Sequence, residues 1–212
     1  VTIIAMAFGI ANHLIFLGIF YKYDITPLYY YNYISVTVFV ALMLTLLRKK
    51  MITLVMILAS IEIMFHQSFA VSLLGWDYGF QYYIIAIPGL VLLGDFKKYL
   101  VPVLFSALSS FVLVYIYFYS LNHPATFETE EIKSGLYLFN LLSVAVIVAV
   151  FSLLFSYTSK QNENVLLEAH QQLYITATTD SMTKLANRMK TIDLIQGQIV
   201  RAKRTGKPFT LA

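Results

Sequence analysis

Three ionisable side chains stand inside long apolar runs of this 212-residue chain: His13, Glu62 and His66. A charged group at the centre of a bilayer costs a few kcal/mol on insertion scales, so such residues mark function by default. Glu62 and His66 are i, i+4 and share a helix face. At a rise of ~1.5 Å per residue, His13 lies about seven and His66 about eight residues from the outer ends of their segments, so both sit roughly 10–12 Å deep. Asn32, Ser35 and Asn140 fall in the same outer third. Three chemistries fit this set. Two imidazoles and a carboxylate suffice to hold a metal ion or a haem iron through His13, His66 and Glu62. The same groups, with Asn32, can line a pocket for a small amphipathic ligand, open to the outer leaflet and rimmed by Trp76 and Tyr82. Simple interhelical hydrogen bonding, Glu62 or His66 to Asn32 or Ser35, is the third reading. His123, beside Pro124, and His170 are lone and read as solvated.

Composition dictates the elements that must position these groups. Apolar residues make up 59% of the chain and charged residues 12%, with mean hydropathy +0.73. A soluble domain carries about a quarter charged residues, so most of this chain faces lipid or a lipid-buried core. With no cysteine, neither disulfides nor thiolate metal sites contribute. The net charge of +4 is no nucleic-acid signature, because the cations lie in short loops and near the C-terminus. No cleavable signal is visible in residues 1–20, and the absence of an initiator Met places the natural N-terminus upstream.

A helix needs roughly 20 apolar residues to cross the hydrocarbon. Six segments qualify or nearly so: Val1 to about Phe20, Leu28–Leu47, Met51–Leu74, a short one at about Gln81–Leu93 containing Pro88-Gly89, Tyr99–Ser120, and Gly135–Tyr157. Alternate loops carry Arg48, Lys49 and Lys50, then Lys97 and Lys98, then Lys160; the other set holds Asp24, Asp77, Glu128, Glu130 and Glu131, with only Lys22 and Lys133. The positive-inside bias therefore puts both termini in the cytoplasm. Tyr29–Tyr33, Trp76–Tyr83 and Tyr115–Tyr119 form the aromatic belts expected at the interfaces. Beyond Tyr157 the chain turns polar, but Leu166, Ala169, Leu173 and Thr176 recur at spacings of 3, 4 and 3. That alternation is the seam of a parallel coiled coil; Asn162, Ser159 and Phe155 extend it backwards.

The C-terminal stretch carries the most specific pattern. Asp180-Ser-Met182-Thr183-Lys-Leu185-Ala-Asn187-Arg188 is followed by a helical pattern over 191–204 with Ile192, Ile195, Ile199 and Ala202 on one face. Gly206 and Pro208 end that helix, and Phe209-Thr-Leu-Ala begins as a strand. The pattern resembles D-x-L-T-x-L-x-N-R, the opening of GGDEF domains, the catalytic domains of bacterial diguanylate cyclases. Asp180, Thr183, Leu185, Asn187 and Arg188 match, Met182 replaces Leu, and Arg201-Ala-Lys-Arg-Thr-Gly-Lys-Pro is also typical. In that family these residues brace the domain against the incoming helix. Gly75-Trp-Asp-Tyr-Gly-Phe-Gln-Tyr-Tyr is similar to a stretch in six-helix input modules of some bacterial cyclases.

The resemblance implies an all-α membrane protein, a six-transmembrane-helix bundle with a continuous cytoplasmic coiled-coil signalling helix, then the start of an α/β GGDEF domain. Its parts would be a sensory domain at 1–157, a signalling linker at 158–178 and a domain fragment at 179–212. It implies a multi-pass homodimer in the bacterial inner membrane, controlling condensation of two GTP into cyclic di-GMP with Mg²⁺. The catalytic carboxylates would lie on the strand starting at Phe209 and beyond, so this segment carries no catalytic residue. Two alternatives stand: a non-catalytic receptor with a degenerate domain, and a transporter with a regulatory tail, though no inverted repeat is seen.

Overall fold

The computed structural model of the chain describes residues 2–49, 51–94, 96, 99–127 and 129–210, and these are helical throughout their length apart from short connections. The loop charges Lys50, Lys97, Lys98 and Glu128, and the ends Val1, Leu211 and Ala212, lie outside the described residues. The chain divides into two compact units, 1–154 and 155–212.

In the first unit α1 (Thr2–Lys22), α2 (Thr26–Lys49) and α3 (Ile52–Leu74) run up, down and up. α2 buries Leu28, Asn32, Ser35, Phe39, Leu42 and Leu46 at alternating spacings of four and three, the stripe that near-parallel helices need to interlock. α3 is the central helix, with half of its apolar window buried against 17–28% for the other long helices. The Trp76–Tyr78 turn leads to two short helices, α4 (Tyr82–Ile85) and α5 (Ile87–Val91), before α6 (Leu100–Asn122) and α7 (Glu130–Thr178). Among the described residues five helices, α1, α2, α3, α6 and α7, are long and apolar enough to cross a membrane. Their lipid-type surfaces, such as Phe65, Phe111 and Leu142, are 63–69% exposed. The protein is accordingly a membrane-embedded helical bundle. α7, at 49 residues, is more than twice the ~20 that hydrocarbon requires, so much of it stands clear of the bilayer core.

The short fourth segment is not one helix. It breaks at Ala86, where Pro88 occupies the first turn of α5 and has no N–H to continue the α4 ladder. Its path is nevertheless clear. Gly79, at φ +81°, lies against α7, where a Cβ would stand 3.3 Å from Tyr137 O and Asn140 Cβ. Leu90 sits at the opposite end, among Met6, Leu46, Val55 and Met56. Thr126 and Phe127 donate to Leu73 O and Trp76 packs on Tyr117 at 5.1 Å, so α3 and α6 finish at the same end. α4 and α5 lie between the Gly79 and Leu90 ends of that path.

In the second unit, α7 closes on a hairpin through the Thr179–Ala186 bridge, and α8 (Arg188–Thr205) follows. α8 starts three residues earlier than its apolar period indicates because Asn187 caps it, and it ends at Gly206, φ +68°, whose N–H bonds Ala202 O. Of the strand expected from Phe209, Phe209 and Thr210 are irregular, and Leu211 and Ala212 lie outside the described residues. A strand needs a ladder partner, and the described residues contain none.

Candidate functional site

Two apolar clusters fill the first unit. One holds Phe16, Phe20, Leu28, Leu74 and Phe80; the other holds Met6, Phe39, Leu42, Met56 and Ala59. Between them lies a polar layer from three helices: His13 of α1, Asn32 and Ser35 of α2, and Glu62 and His66 of α3. All five are 0–9% exposed, so each polar atom must find a partner within the layer.

The partners fall into a pattern. Asn32 Nδ2 donates to Leu28 O at 3.2 Å, which turns its Oδ1 to His13 Nδ1 at 2.9 Å. That oxygen only accepts, so His13 Nδ1 carries the proton and Nε2 is left facing Glu62 Oε2 at 3.7 Å. Ser35 Oγ donates to the other carboxylate oxygen, Glu62 Oε1. His66 is flanked by the His13 ring at 4.8 Å and the Tyr31 ring, stacked at 5.3 Å, with Gln67 Nε2 at 3.2 Å from its Nδ1. Glu62 Oε2 and His66 Nε2 are buried without a hydrogen-bond partner. One ligand-type atom from each of His13, Glu62 and His66 lies within 4.8 Å of the others, the one such group among the described residues.

Other residues picked out by sequence lie elsewhere. A cavity of about 100 Å³ reaches the layer at His13 and runs towards the N-terminal end of α1, past Met6, Phe39 and Phe151, with Asn12, Gln67 and Tyr83 as further polar lining. Asn32, Glu62, His66, Trp76 and Tyr82 do not line it. On the other side of the layer Phe16, Phe20 and Phe80 pack together, with ring centroids 5.2–6.0 Å apart. Trp76 lines a separate cavity of about 330 Å³ at the α3–α6 connection, with Asp77, His123 and Lys133, and Tyr82 bonds Tyr137 hydroxyl to hydroxyl at 3.0 Å. His123 is exposed and stacks on Tyr119 at 4.0 Å; His170 is exposed too.

Sequence reasoning missed a second polar network. Asn140, fully buried on α7, donates to Tyr78 O at 2.7 Å, and the Tyr83 hydroxyl lies 3.3 Å from Asn140 Oδ1 and 3.4 Å from Asn12 Oδ1. Tyr78 OH accepts from Thr129 N at 2.9 Å. The signal was present: Asn12 is an amide inside an apolar run, which needs an internal partner.

In the second unit the matched pattern acquires definite jobs. Asp180 Oδ1 accepts from Met182 N, Thr183 N and Thr183 Oγ1 at 2.8–3.1 Å, the loop that Asp readily forms with its own backbone. Those donors, Thr183 N–H foremost, hold its carboxyl below the usual carboxylate range. Asn187 accepts from Lys190 N at 3.0 Å and donates to Ala177 O at 2.7 Å. Leu185 O accepts from Asp180 N at 2.8 Å, and Arg188 opens α8, exposed. Lys190 Nζ bonds Tyr174 OH at 2.6 Å. The seam residues Leu166, Ala169, Leu173 and Thr176 are all exposed on α7, the two leucines by 69–70%.

No family model, curated protein or solved structure matches this chain. Fold and site define a membrane-embedded helical protein with a buried His–Glu layer and a long exposed helix.

Proposed function

We propose that the chain is the sensory and linker part of a membrane receptor whose output is a diguanylate cyclase domain continuing beyond residue 212. The observation that carries the reading is the Asp180–Arg188 pattern at the end of α7. Its Asn187 ties both the hairpin and the first turn of α8 to Ala177, which is the bracing role that the resemblance implies. α8 adds support: it buries no residue, and Ile192 and Ile199 are 40–44% exposed, as the first helix of a larger domain would be before the rest covers it.

The α4–α5 return acts as a sixth, broken crossing. Both termini then lie on one side, and the Arg48–Lys49 end assigns that side to the cytoplasm, where GTP and Mg²⁺ are. Two copies pair through the exposed α7 stripe, because neither half-site of such a cyclase suffices alone, and the stimulus enters at the polar layer or the cavity at His13, which suits the apolar part of a small amphipathic ligand. Full-length protein in membranes, given GTP and Mg²⁺, should yield cyclic di-GMP while the 212-residue chain yields none. A full-length protein that binds GTP without turning it over makes this a non-catalytic receptor; one that instead carries a solute across vesicles makes it a transporter.

A further inference from the structure

The geometry points to the polar layer as a binding site for one divalent transition-metal ion of the Zn²⁺ class, held by His13, Glu62 and His66 and oriented by Asn32, Ser35 and Gln67. Each of the three side chains has one polar atom left over. Asn32 occupies His13 Nδ1 and Ser35 occupies Glu62 Oε1. Gln67 adjoins His66 Nδ1. Turned by 180°, its amide accepts the Nδ1 proton through Oε1, an atom with no other partner. Each first ligand thus has one polar atom tied to a neighbour and one free: His13 Nε2, Glu62 Oε2 and His66 Nε2. Fixing one face of a ligand so that the other points at the ion is how proteins orient metal-binding imidazoles and carboxylates.

An ion pair is the simpler account, and it falls short. Protonating His13 Nε2 against Glu62 Oε2 would draw them to about 2.7–2.9 Å, as charge-assisted bonds are; they stand at 3.7 Å, outside hydrogen-bond distance. It would also leave His66 Nε2 buried and unsatisfied. One cation satisfies all three atoms. Ligands about 2.0–2.1 Å from a tetrahedral ion lie about 3.3 Å from one another. The spread here, up to 4.8 Å, closes to that by small rotations of two imidazoles. Two imidazoles and a carboxylate suit Zn²⁺, Fe²⁺, Co²⁺ or Ni²⁺ rather than Mg²⁺ or Ca²⁺, and three protein ligands leave one position open for exchange. The cavity at His13, about 100 Å³ and lined by neither Glu62 nor His66, lies below the ~300 Å³ of ordinary ligand pockets, so it gives no room for a macrocycle beside the cluster.

The assignment stands whether or not the output is a cyclase, and its test involves no nucleotide. The untagged 212-residue chain in nanodiscs is stripped with chelator and titrated with Zn²⁺ and, separately, Co²⁺. One Zn²⁺ per chain, a higher unfolding temperature with Zn²⁺ and a ligand-field spectrum with Co²⁺ are expected. Asn32→Leu should weaken binding by about 10–100-fold, Glu62→Gln and His66→Ala should lose the ion, and His123→Ala and His170→Ala should keep it. A wild-type chain that retains no Zn²⁺ overturns the site, as does a Co²⁺ spectrum unchanged by Glu62→Gln. Glu62→Gln preserves shape, so the test does not depend on the folding of His66→Ala.

Discussion

Asn187 offers the sharpest physical test of the hairpin that joins α7 to α8. Its side chain accepts from Lys190 N at 3.0 Å, capping α8, and donates to Ala177 O at 2.7 Å, clasping the end of α7. Asn187→Ala removes both. Losing an N-cap costs about 1 kcal/mol and losing one neutral hydrogen bond about 0.5–1.5 kcal/mol. The site is half-buried, so water partly replaces both partners, and the expected loss is about 1.5–2 kcal/mol of local stability. Asn187→Asp separates the two roles. A carboxylate keeps the cap and favours the helix N-terminus by about 0.3–1 kcal/mol, but cannot donate to Ala177 O and faces that carbonyl with a charge. Native-state hydrogen exchange on the full chain reads the result at the Lys190 and Thr191 amides, both bonded to Asn187. At 1.36 kcal/mol per tenfold, Asn187→Ala should speed exchange by about 10–30-fold, and Asn187→Asp by clearly less. A change below about twofold in the alanine variant would refute the double clasp; equal effects of Ala and Asp would refute the cap.

Two further outcomes follow. Because the chain has no native cysteine, single cysteines at 166, 169 and 173 should crosslink strongly in membranes and those at 164, 168 and 171 weakly; uniform crosslinking around α7 excludes the seam. Asp180 has a depressed carboxyl because Thr183 and Met182 donate to it, so its contribution to the hairpin is full above the unfolded carboxylate range and is lost as pH falls below about 4. Met182 and Thr183 amide exchange, corrected for intrinsic pH dependence, should therefore rise on acidification in the wild type and be insensitive to it in Asp180→Asn.

The legible part of the fold was set by one-dimensional constraints. Apolar length found α1, α2, α3, α6 and α7, because a bilayer-crossing helix must satisfy its own backbone. Gly206 and the basic last turn of α8 found that helix's end, since a C-cap is local chemistry. Depth counting along separate helices brings His13, Asn32, Ser35, Glu62, His66 and Asn140 to one level; the first five meet, whereas Asn140 bonds Tyr78 O instead. The break at Ala86 is harder: Pro88 signals irregularity, but only packing of Leu90 against Met6 and Val55 fixes where the chain goes. The cavity lies at the opposite end from the one that depth and the aromatic rim indicate. Its place depends on how rings such as Phe16, Phe20 and Phe80 pack, a matter of ring orientation that no spacing encodes. Asn187's clasp on Ala177 is likewise out of reach, since it joins residues ten apart across a turn.

The polar layer of α1–α3 and the Asn140 network of α7 come within one residue of each other on α1. Asn12 neighbours His13 on α1, and its Oδ1 lies within reach of the Tyr83 hydroxyl on α4; the same hydroxyl lies within reach of Asn140 on α7. A phenol has one proton to donate, so Tyr83 serves Asn12 or Asn140 at full strength but not both. Asn140 is meanwhile anchored by its bond to Tyr78 O, and the Gly79 backbone packs directly on α7.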